Sequence, residues 1–257
     1  MRSDLNFKET ISLATNIYKR SFKLTFVLAF MLSFISEYCF VYMMQHGMAE
    51  YIESGGKTIP VDFPSANVLS FMVLVIMVAT IFVYAMIILL QGIFIKNQLK
   101  ASEAIKLSLQ IFSKRIFSFL GAFLLSIIVL TLLSMFLQYI GIFLAILLFL
   151  TVMPAVLLGK SSIFEAITDN LKVIKLNFFY MFKLVFVVLI LMVVKPLLTL
   201  GLIYLLKNVG MEISPLENSI QNIIVTIVDS LVVPFIFAIT VATFLVTREK
   251  NAIDQNI

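Results

Sequence analysis

Three charged side chains lie inside long apolar segments of the sequence: Glu37, Lys195 and Asp229. A charge is costly in hydrocarbon, so residues of this kind usually face protein or water and are candidates for function. Two carboxylates and one ammonium group could couple a proton or an ion to the movement of a substrate. The alternative is a structural ion pair that is partly hydrated near the membrane surface. The sequence therefore identifies a candidate intramembrane polar cluster with two interpretations.

Prolines accompany this candidate cluster. Pro196 directly follows Lys195, while Pro154 and Pro234 lie within the fourth and sixth apolar runs. Because proline has no backbone N–H and clashes with the preceding turn, we expect Pro154 and Pro234 to interrupt the fourth and sixth helices and to free backbone carbonyls within the membrane. Unpaired ions would destabilise a small helix bundle, so we also expect at least two of the three charged groups to approach each other.

The charges belong to six apolar runs, each long enough to cross a hydrocarbon core of about 30 Å as a helix. Hydrophobic residues make up 61% of the chain and charged residues 13%, which is far from a soluble composition. The connections are too short for a separate soluble domain. We therefore predict an all-α membrane protein in which residues 1–257 form a single polytopic domain. The predicted spans are 22–44, 68–93, 116–137, 140–158, 184–206 and 223–246.

Basic residues distinguish the two sides of the membrane. Lys57 and Lys207 occupy two of the connections, and Lys195 lies inside a run. Connections rich in Lys and Arg are cytoplasmic under the positive-inside rule. Both termini are therefore predicted to be cytoplasmic. The remaining sixteen of the nineteen Lys and Arg residues lie in the N-terminal segment, the second and fourth connections and the tail: Arg2, Lys8, Lys19, Arg20, Lys23, Lys96, Lys100, Lys106, Lys114, Arg115, Lys160, Lys172, Lys175, Lys183, Arg248 and Lys250.

Three basic stretches have the apolar spacing of amphipathic helices, at 6–20, 101–114 and 163–177. Ser162 and Glu165 have the spacing of a capping box at the start of the third. Helices with Lys on one face and Ile, Leu or Phe on another should lie at the cytoplasmic membrane surface. Each is followed by two apolar runs, which favours three repeats of a helix plus a hairpin. The alternative is that any cytoplasmic connection of such a protein tends to be amphipathic.

Catalytic signatures are absent from the sequence. Gly159-Lys160-Ser161 resembles the end of a phosphate-binding loop, but Pro154 stands where the first glycine would be needed. The sequence contains no nucleophile elbow and no zinc-protease motif. We therefore predict that the protein is not an enzyme and has no cofactor.

Metal and nucleic-acid binding are also disfavoured. Cys39 is the one cysteine and His46 the one histidine, so no internal disulfide and no His/Cys metal cluster can form. The net charge of +5 comes from basic residues at the ends of apolar runs, where they would face anionic lipid headgroups. We expect membrane lipids, and possible membrane-protein partners, rather than nucleic acid.

Short motifs in the second half of the chain carry a family resemblance. Gly141-Ile142, Met153-Pro154-Ala155-Val156, Glu165-Ala166 and Asn177 follow a basic amphipathic start and an acidic first loop. With this pattern, nearly all of the chain resembles the YciC-type inner-membrane proteins of enteric and related bacteria. The resemblance implies a multi-pass protein of the bacterial cell inner membrane, and it implies no reaction. Lys175 stands near a position where relatives carry Trp, which argues against an aromatic anchor there.

Three classes of function are compatible with these features. The leading class is a non-catalytic membrane protein of the cell envelope whose interfacial helices hold lipid or a partner protein. The second is a small-molecule transporter or permease component that uses Glu37, Lys195 and Asp229. A membrane enzyme acting on lipid is third and lacks a supporting constellation of residues. Tolerance to replacement of the three charges would favour the first class, and loss of function would favour the second.

Overall fold

The computed structural model describes residues 5–57, 59–96, 99–209 and 219–254. Within these ranges the secondary structure is helical and contains no strand. A π-helical turn at Met44–Met48 separates the first two helices, where His46 and Gly47 leave the helical conformation. The helices are α1 (Phe7–Met43), α2 (Ala49–Glu53), α3 (Ala66–Lys96), α4 (Ala101–Phe149), α5 (Val152–Leu158), α6 (Ile163–Leu176), α7 (Phe178–Asn208) and α8 (Ser219–Asp254).

Five helical stretches of the described chain are long and apolar enough to cross a membrane by their length and composition. This result supports the predicted class of helical membrane protein. The sequence predicted six spans, and the difference arises because the third and fourth runs fall within one helical stretch, Ala101–Leu158. The other four stretches are Phe7–Glu53, Ala66–Ile95, Phe178–Asn208 and Gln221–Glu249.

Helix α4 reverses its direction at Gln138. Its 49 residues would extend about 74 Å if they were straight, far more than a bilayer core requires. The backbone of Gln138 is not helical, with φ 51° and ψ −125°. A Cβ atom built on Gly141 would clash with the backbone carbonyl group of Leu133, so the two parts of the chain lie close together at this point. α4 therefore has two arms that meet at Gln138, between the predicted runs 116–137 and 140–158.

The interruption predicted at Pro154 and Pro234 is confirmed at Pro154 and wrong at Pro234. The fourth apolar run is interrupted between α4 and α5, just before Pro154. In contrast, α7 continues through Pro196 and α8 continues through Pro234. Neighbouring groups in a membrane bundle can replace the hydrogen bonds that proline removes. Beside the proline of α8, the Gln91 side chain donates a 2.7 Å hydrogen bond to the carbonyl oxygen of Pro234 itself, which adds a contact between α3 and α8.

The predicted amphipathic helices at 6–20 and 101–114 are helical but not separate. They form the first parts of α1 and α4, which continue into the apolar runs without a break at the predicted boundary. Neither boundary contains a proline, a glycine or a cap, so helix propagation continues through it. Only the third stretch is a separate helix, α6, which begins after a Ser162 cap and ends before Asn177. The threefold repeat stays a prediction.

Two compact units can be distinguished within the described residues. The first contains parts of Met1–Thr25, Tyr84–Val193 and Val232–Ile257, and the second parts of Phe26–Val83 and Val194–Leu231. The first unit has a well-packed core, and it also contains all three amphipathic stretches. Fully buried side chains of this core are Ile17, Ile87, Ile88, Leu89, Leu90, Phe119, Leu157, Met181, Leu184 and Ile239.

Candidate functional site

An ion pair in the second unit brings together two of the three predicted site residues. The Lys195 ammonium nitrogen, on α7, lies 2.9 Å from Oδ1 of Asp229, on α8. The two side chains are 37% and 20% exposed, so each is partly covered by its neighbours. Two helices that are long and apolar enough to cross a membrane are thus joined by one pair of opposite charges.

A serine on α1 completes the environment of the Asp229 carboxylate. The Ser33 hydroxyl donates a 3.4 Å hydrogen bond to Oδ2 of Asp229, and the serine is only 7% exposed. Among the described residues, Oδ1 has no hydrogen-bond donor, so its partner is the Lys195 charge alone. The carboxylate is therefore held from two sides, by a cation on α7 and a hydroxyl group on α1.

Glu37 lies close to this pair without joining it. It interacts electrostatically with both Asp229 and Lys195. Within the described part of the chain, however, Glu37 forms no ion pair. Ser33 and Glu37 are four residues apart on α1 and therefore share one face of that helix. This i, i+4 spacing is the signal in the sequence that places Ser33 next to the cluster.

Hydroxyl side chains support the helices around the pair. Thr199 donates a 3.2 Å hydrogen bond to the carbonyl oxygen of Lys195, next to the proline of α7. On α8, Ser230 donates to the carbonyl oxygen of Thr226 at 2.5 Å. Back-bonding of this kind satisfies hydroxyl groups locally and often bends a helix. These bonds help to set the local backbone from which Lys195 and Asp229 project.

The chemistry available to the cluster follows from its charges. Lys195 and Asp229 neutralise each other, which leaves Glu37 as the member that could take up or release a proton without breaking the pair. No group of three His, Cys, Asp or Glu side chains that could hold a metal ion occurs in the described ranges. The cluster is thus compatible with both interpretations, a structural ion pair and a proton- or ion-coupled site.

Asn170 is a buried polar residue that sequence reasoning did not single out. It lies on α6 in the first unit and is 1% exposed. Its amide nitrogen donates to the carbonyl oxygens of Leu147 and Leu148, at 3.0 and 2.8 Å, and its oxygen accepts a 2.6 Å bond from Thr151. These carbonyls lie at the end of α4, where the helix has no further turn to satisfy them. Asn170 therefore anchors α6 to the break before α5.

The capping box at the start of α6 is present as predicted. The Ser162 hydroxyl accepts a hydrogen bond from the Glu165 backbone, and the Glu165 carboxylate accepts one from the Ser162 backbone at 2.8 Å. Hydrogen bonding to the carboxylate, first by the Ser162 backbone N–H and then by the Ser162 side chain, holds the pKa of the exposed Glu165 carboxyl below its usual value. The bonds fix the point at which α6 begins.

The exposed surface of α6 has two different faces. Phe164 is 80% exposed and Leu171 is 44% exposed, on one apolar side of the helix. Lys172 forms an exposed ion pair with Asp169 at 3.1 Å on the adjoining face, about 80–100° around the helix from Phe164 and Leu171. A helix with these two faces and with Asn170 buried beneath is suited to a boundary between lipid and water.

The helices and the ion pair together define a helical protein whose described residues include five stretches able to cross a membrane. No family model, curated protein or solved structure matches the chain. Its function must therefore be inferred from the helices, the ion pair and the surface of α6.

Proposed function

We propose that the chain is a multi-pass protein of the bacterial cell inner membrane, similar to the YciC-type proteins, that associates with lipid or with a membrane-protein partner and catalyses no reaction. The observation that carries this proposal is the surface of α6, where the exposed apolar Phe164 and Leu171 lie beside the charged Lys172. Such a surface fits the headgroup boundary, where the apolar face contacts lipid and the charged face contacts water.

The proposal includes six spans with both termini in the cytoplasm. Support for six comes from the reversal at Gln138, which separates the first arm of α4, residues 101–137, from residues 139–158, where the end of α4 and α5 together provide about the length that a span requires. Support for the orientation comes from the uneven distribution of Lys and Arg. The clustering of the described parts of all three basic stretches in one compact unit is consistent with a single cytoplasmic side.

Reporter fusions test this topology. Fusions after residues 60, 139 and 213 should read as exported, and fusions after residues 105, 170 and 257 should read as cytoplasmic. The pair at 105 and 139 is the most informative, because it tests the first arm of α4 directly. A clear opposite signal at any one site would contradict the six-span arrangement.

Spin labels on α6 test its location at the lipid boundary. In a Cys39→Ala background, labels at Phe164→Cys and Lys172→Cys are matched, because the two native side chains are similarly exposed, at 80% and 67%. In lipid nanodiscs, position 164 should collide mainly with lipid-soluble oxygen, and position 172 mainly with a water-soluble nickel chelate. Equal access of the nickel chelate to both positions would refute the proposed role of α6.

A second candidate function is small-molecule transport, and the ion pair is the observation that favours it. Lys195, Asp229 and the nearby Glu37 place three ionisable groups in apolar helices, which is a common feature of coupled transporters. A coupled site requires access from water, whereas a structural pair does not. In the same Cys39→Ala background, Glu37→Cys should be modified by a membrane-impermeant thiol reagent if the transport proposal is correct. Phe34→Cys, at a 52% exposed position on α1, is the matched control.

A further inference from the structure

A basic cavity lies among α3, α4 and α5 in the first unit. Its volume is about 570 Å³, within the range of roughly 300–1,000 Å³ that is usual for small-molecule sites. The lining combines three cationic side chains with an apolar wall, and none of the lining residues in the described part of the chain is acidic. The cations are Lys114, Arg115 and Lys160, and the apolar wall includes Ile111, Leu157 and Leu158.

The cavity lies where apolar runs end. Lys114 and Arg115 directly precede the run 116–137, and Lys160 directly follows the run 140–158. The α3 side of the cavity is formed by residues at the end of the run 68–93. In the proposed six-span arrangement, the meeting of these run ends in one cavity places its cations at the headgroup level and its apolar wall next to the hydrocarbon level.

Within the described ranges, no acidic side chain forms an ion pair with the three cations. The ion pairs found among the described residues are Lys172–Asp169 and Lys195–Asp229, and neither involves the cavity. Three clustered positive charges repel one another, so an anion that enters the cavity relieves this repulsion. Arg115 in addition offers a planar pair of N–H donors that matches the oxygens of a phosphate group.

The backbone at Lys160 favours glycine, not lysine. Its φ is 62°, in the left-handed region, at the position just after α5 where helices commonly end with glycine. The Ser161 N–H bonds back across this helix end to the carbonyl oxygen of Ala155 at 3.3 Å. A lysine at this position carries a conformational penalty that a glycine would not. The side-chain charge at position 160 is the feature that glycine would lack.

From these observations we infer that the cavity is a binding site for an anionic phospholipid, with the phosphate held by Lys114, Arg115 and Lys160 and the start of an acyl chain against the apolar wall. This inference rests on the proposed lipid association and specifies the lipid and its site. Three positive charges match a headgroup with two phosphates better than one with a single phosphate. We expect cardiolipin to bind more tightly than phosphatidylglycerol, and phosphatidylcholine to bind weakest.

Native mass spectrometry of the purified full-length protein tests the site. The protein is titrated separately with cardiolipin, phosphatidylglycerol and phosphatidylcholine. Replacement of one cation should weaken cardiolipin binding about 5-fold, and the triple Lys114→Gln/Arg115→Gln/Lys160→Gln variant about 100-fold. The matched control is Lys100→Gln/Lys106→Gln/Lys175→Gln, which removes three positive charges outside the cavity lining and should change binding less than about 3-fold. Equal losses in both triple variants would show general surface attraction and overturn the site.

Lys160→Gly separates binding from folding. The backbone argument predicts an unchanged or higher Tm, and the charge argument predicts about 5-fold weaker cardiolipin binding. A lower Tm with unchanged cardiolipin binding would contradict both arguments. If the triple variant fails to fold, Lys160→Gly still tests whether cardiolipin binds in this cavity.

Inorganic phosphate provides the remaining arm of the test. It should not raise the Tm of the native protein at concentrations where cardiolipin does, since it lacks the acyl chain that contacts the apolar wall. Stabilisation by phosphate equal to that by cardiolipin would overturn the lipid assignment. The α6 spin labels report the broader proposal independently: water access at position 164 with intact, cavity-dependent cardiolipin binding would refute the role of α6 and leave this site standing.

Discussion

Replacement of Lys195 by Met should destabilise the protein because it leaves the Asp229 carboxylate without its cation. At 2.9 Å and an effective dielectric constant of about 20, the attraction within the pair is about 6 kcal/mol. Membrane insertion scales assign roughly 3 kcal/mol to each isolated ion, so the costs of the two ions nearly offset this attraction. If only the cation is removed, the unpaired carboxylate retains its insertion cost of about 3 kcal/mol. Because the carboxylate is partly exposed, we expect the free energy of unfolding to fall by about 2 kcal/mol.

A double-mutant cycle measures this coupling. The free energy of unfolding is determined in mixed micelles for Lys195→Met, Asp229→Asn and the double variant. Asp229→Asn should lower the free energy of unfolding less than Lys195→Met does, because the long side chain of Lys195 allows its ammonium group to reach water. The double variant should return to within about 1 kcal/mol of the native protein, since it contains no unpaired ion.

The matched control for this cycle is Lys207→Met. Lys207 lies in the last turn of the same helix, α7, outside the ion pair. The control should change the free energy of unfolding by less than about 0.5 kcal/mol. Additive single effects, with a double variant as unstable as their sum, would refute the reasoning that the two charges depend on each other.

The remaining predictions concern three positions in the first unit. Asn170→Leu leaves two carbonyls and one hydroxyl without their partner and should lower the free energy of unfolding by about 2–4 kcal/mol; a loss below about 0.5 kcal/mol would contradict the anchoring role. Because its folded pKa is lowered, the Glu165 carboxylate stabilises α6 above the unfolded value of about 4.3, and this stability is lost as the pH falls through the lower folded value. A spin label at Thr168→Cys should therefore gain mobility in acid, and Glu165→Gln, which retains a capping acceptor, should remove this pH dependence. Gly141→Ala places a methyl group against the backbone of the α4 turn and should cost about 2 kcal/mol in thermal unfolding measurements, whereas an unchanged Tm would argue against the close approach.

The sequence predicts the long helices well because length and hydropathy determine them. The first and last predicted runs, 22–44 and 223–246, lie within α1 and α8 apart from the final residue of the first run. Ser162 and Glu165 also fold as their spacing predicts, since a capping box is a local interaction. The pairing of Lys195 with Asp229 follows from the high cost of isolated charges in an apolar helix.

Features that depend on tertiary contacts are harder to predict from the sequence. The continuity of α1 and α4 into the apolar runs depends on helix propagation, which an amphipathic pattern does not reveal. Asn170 could be noticed as a polar residue between the small apolar residues of α6, but its partners lie more than twenty positions away in α4. The basic cavity joins residues from three helices, so its lysines looked like ordinary members of a cytoplasmic surface.

The reversal at Gln138 also has a consequence for biosynthesis. A single non-helical residue joins the two arms of α4. The connection therefore contains no polar segment long enough to stay in water while only one arm is inserted. In the proposed six-span arrangement the two arms must therefore enter the lipid together, as a helical hairpin whose backbone groups are already paired. The insertion machinery would have to accommodate two helices at once at this step. The first arm would then remain shielded from lipid until synthesis of the second was nearly complete.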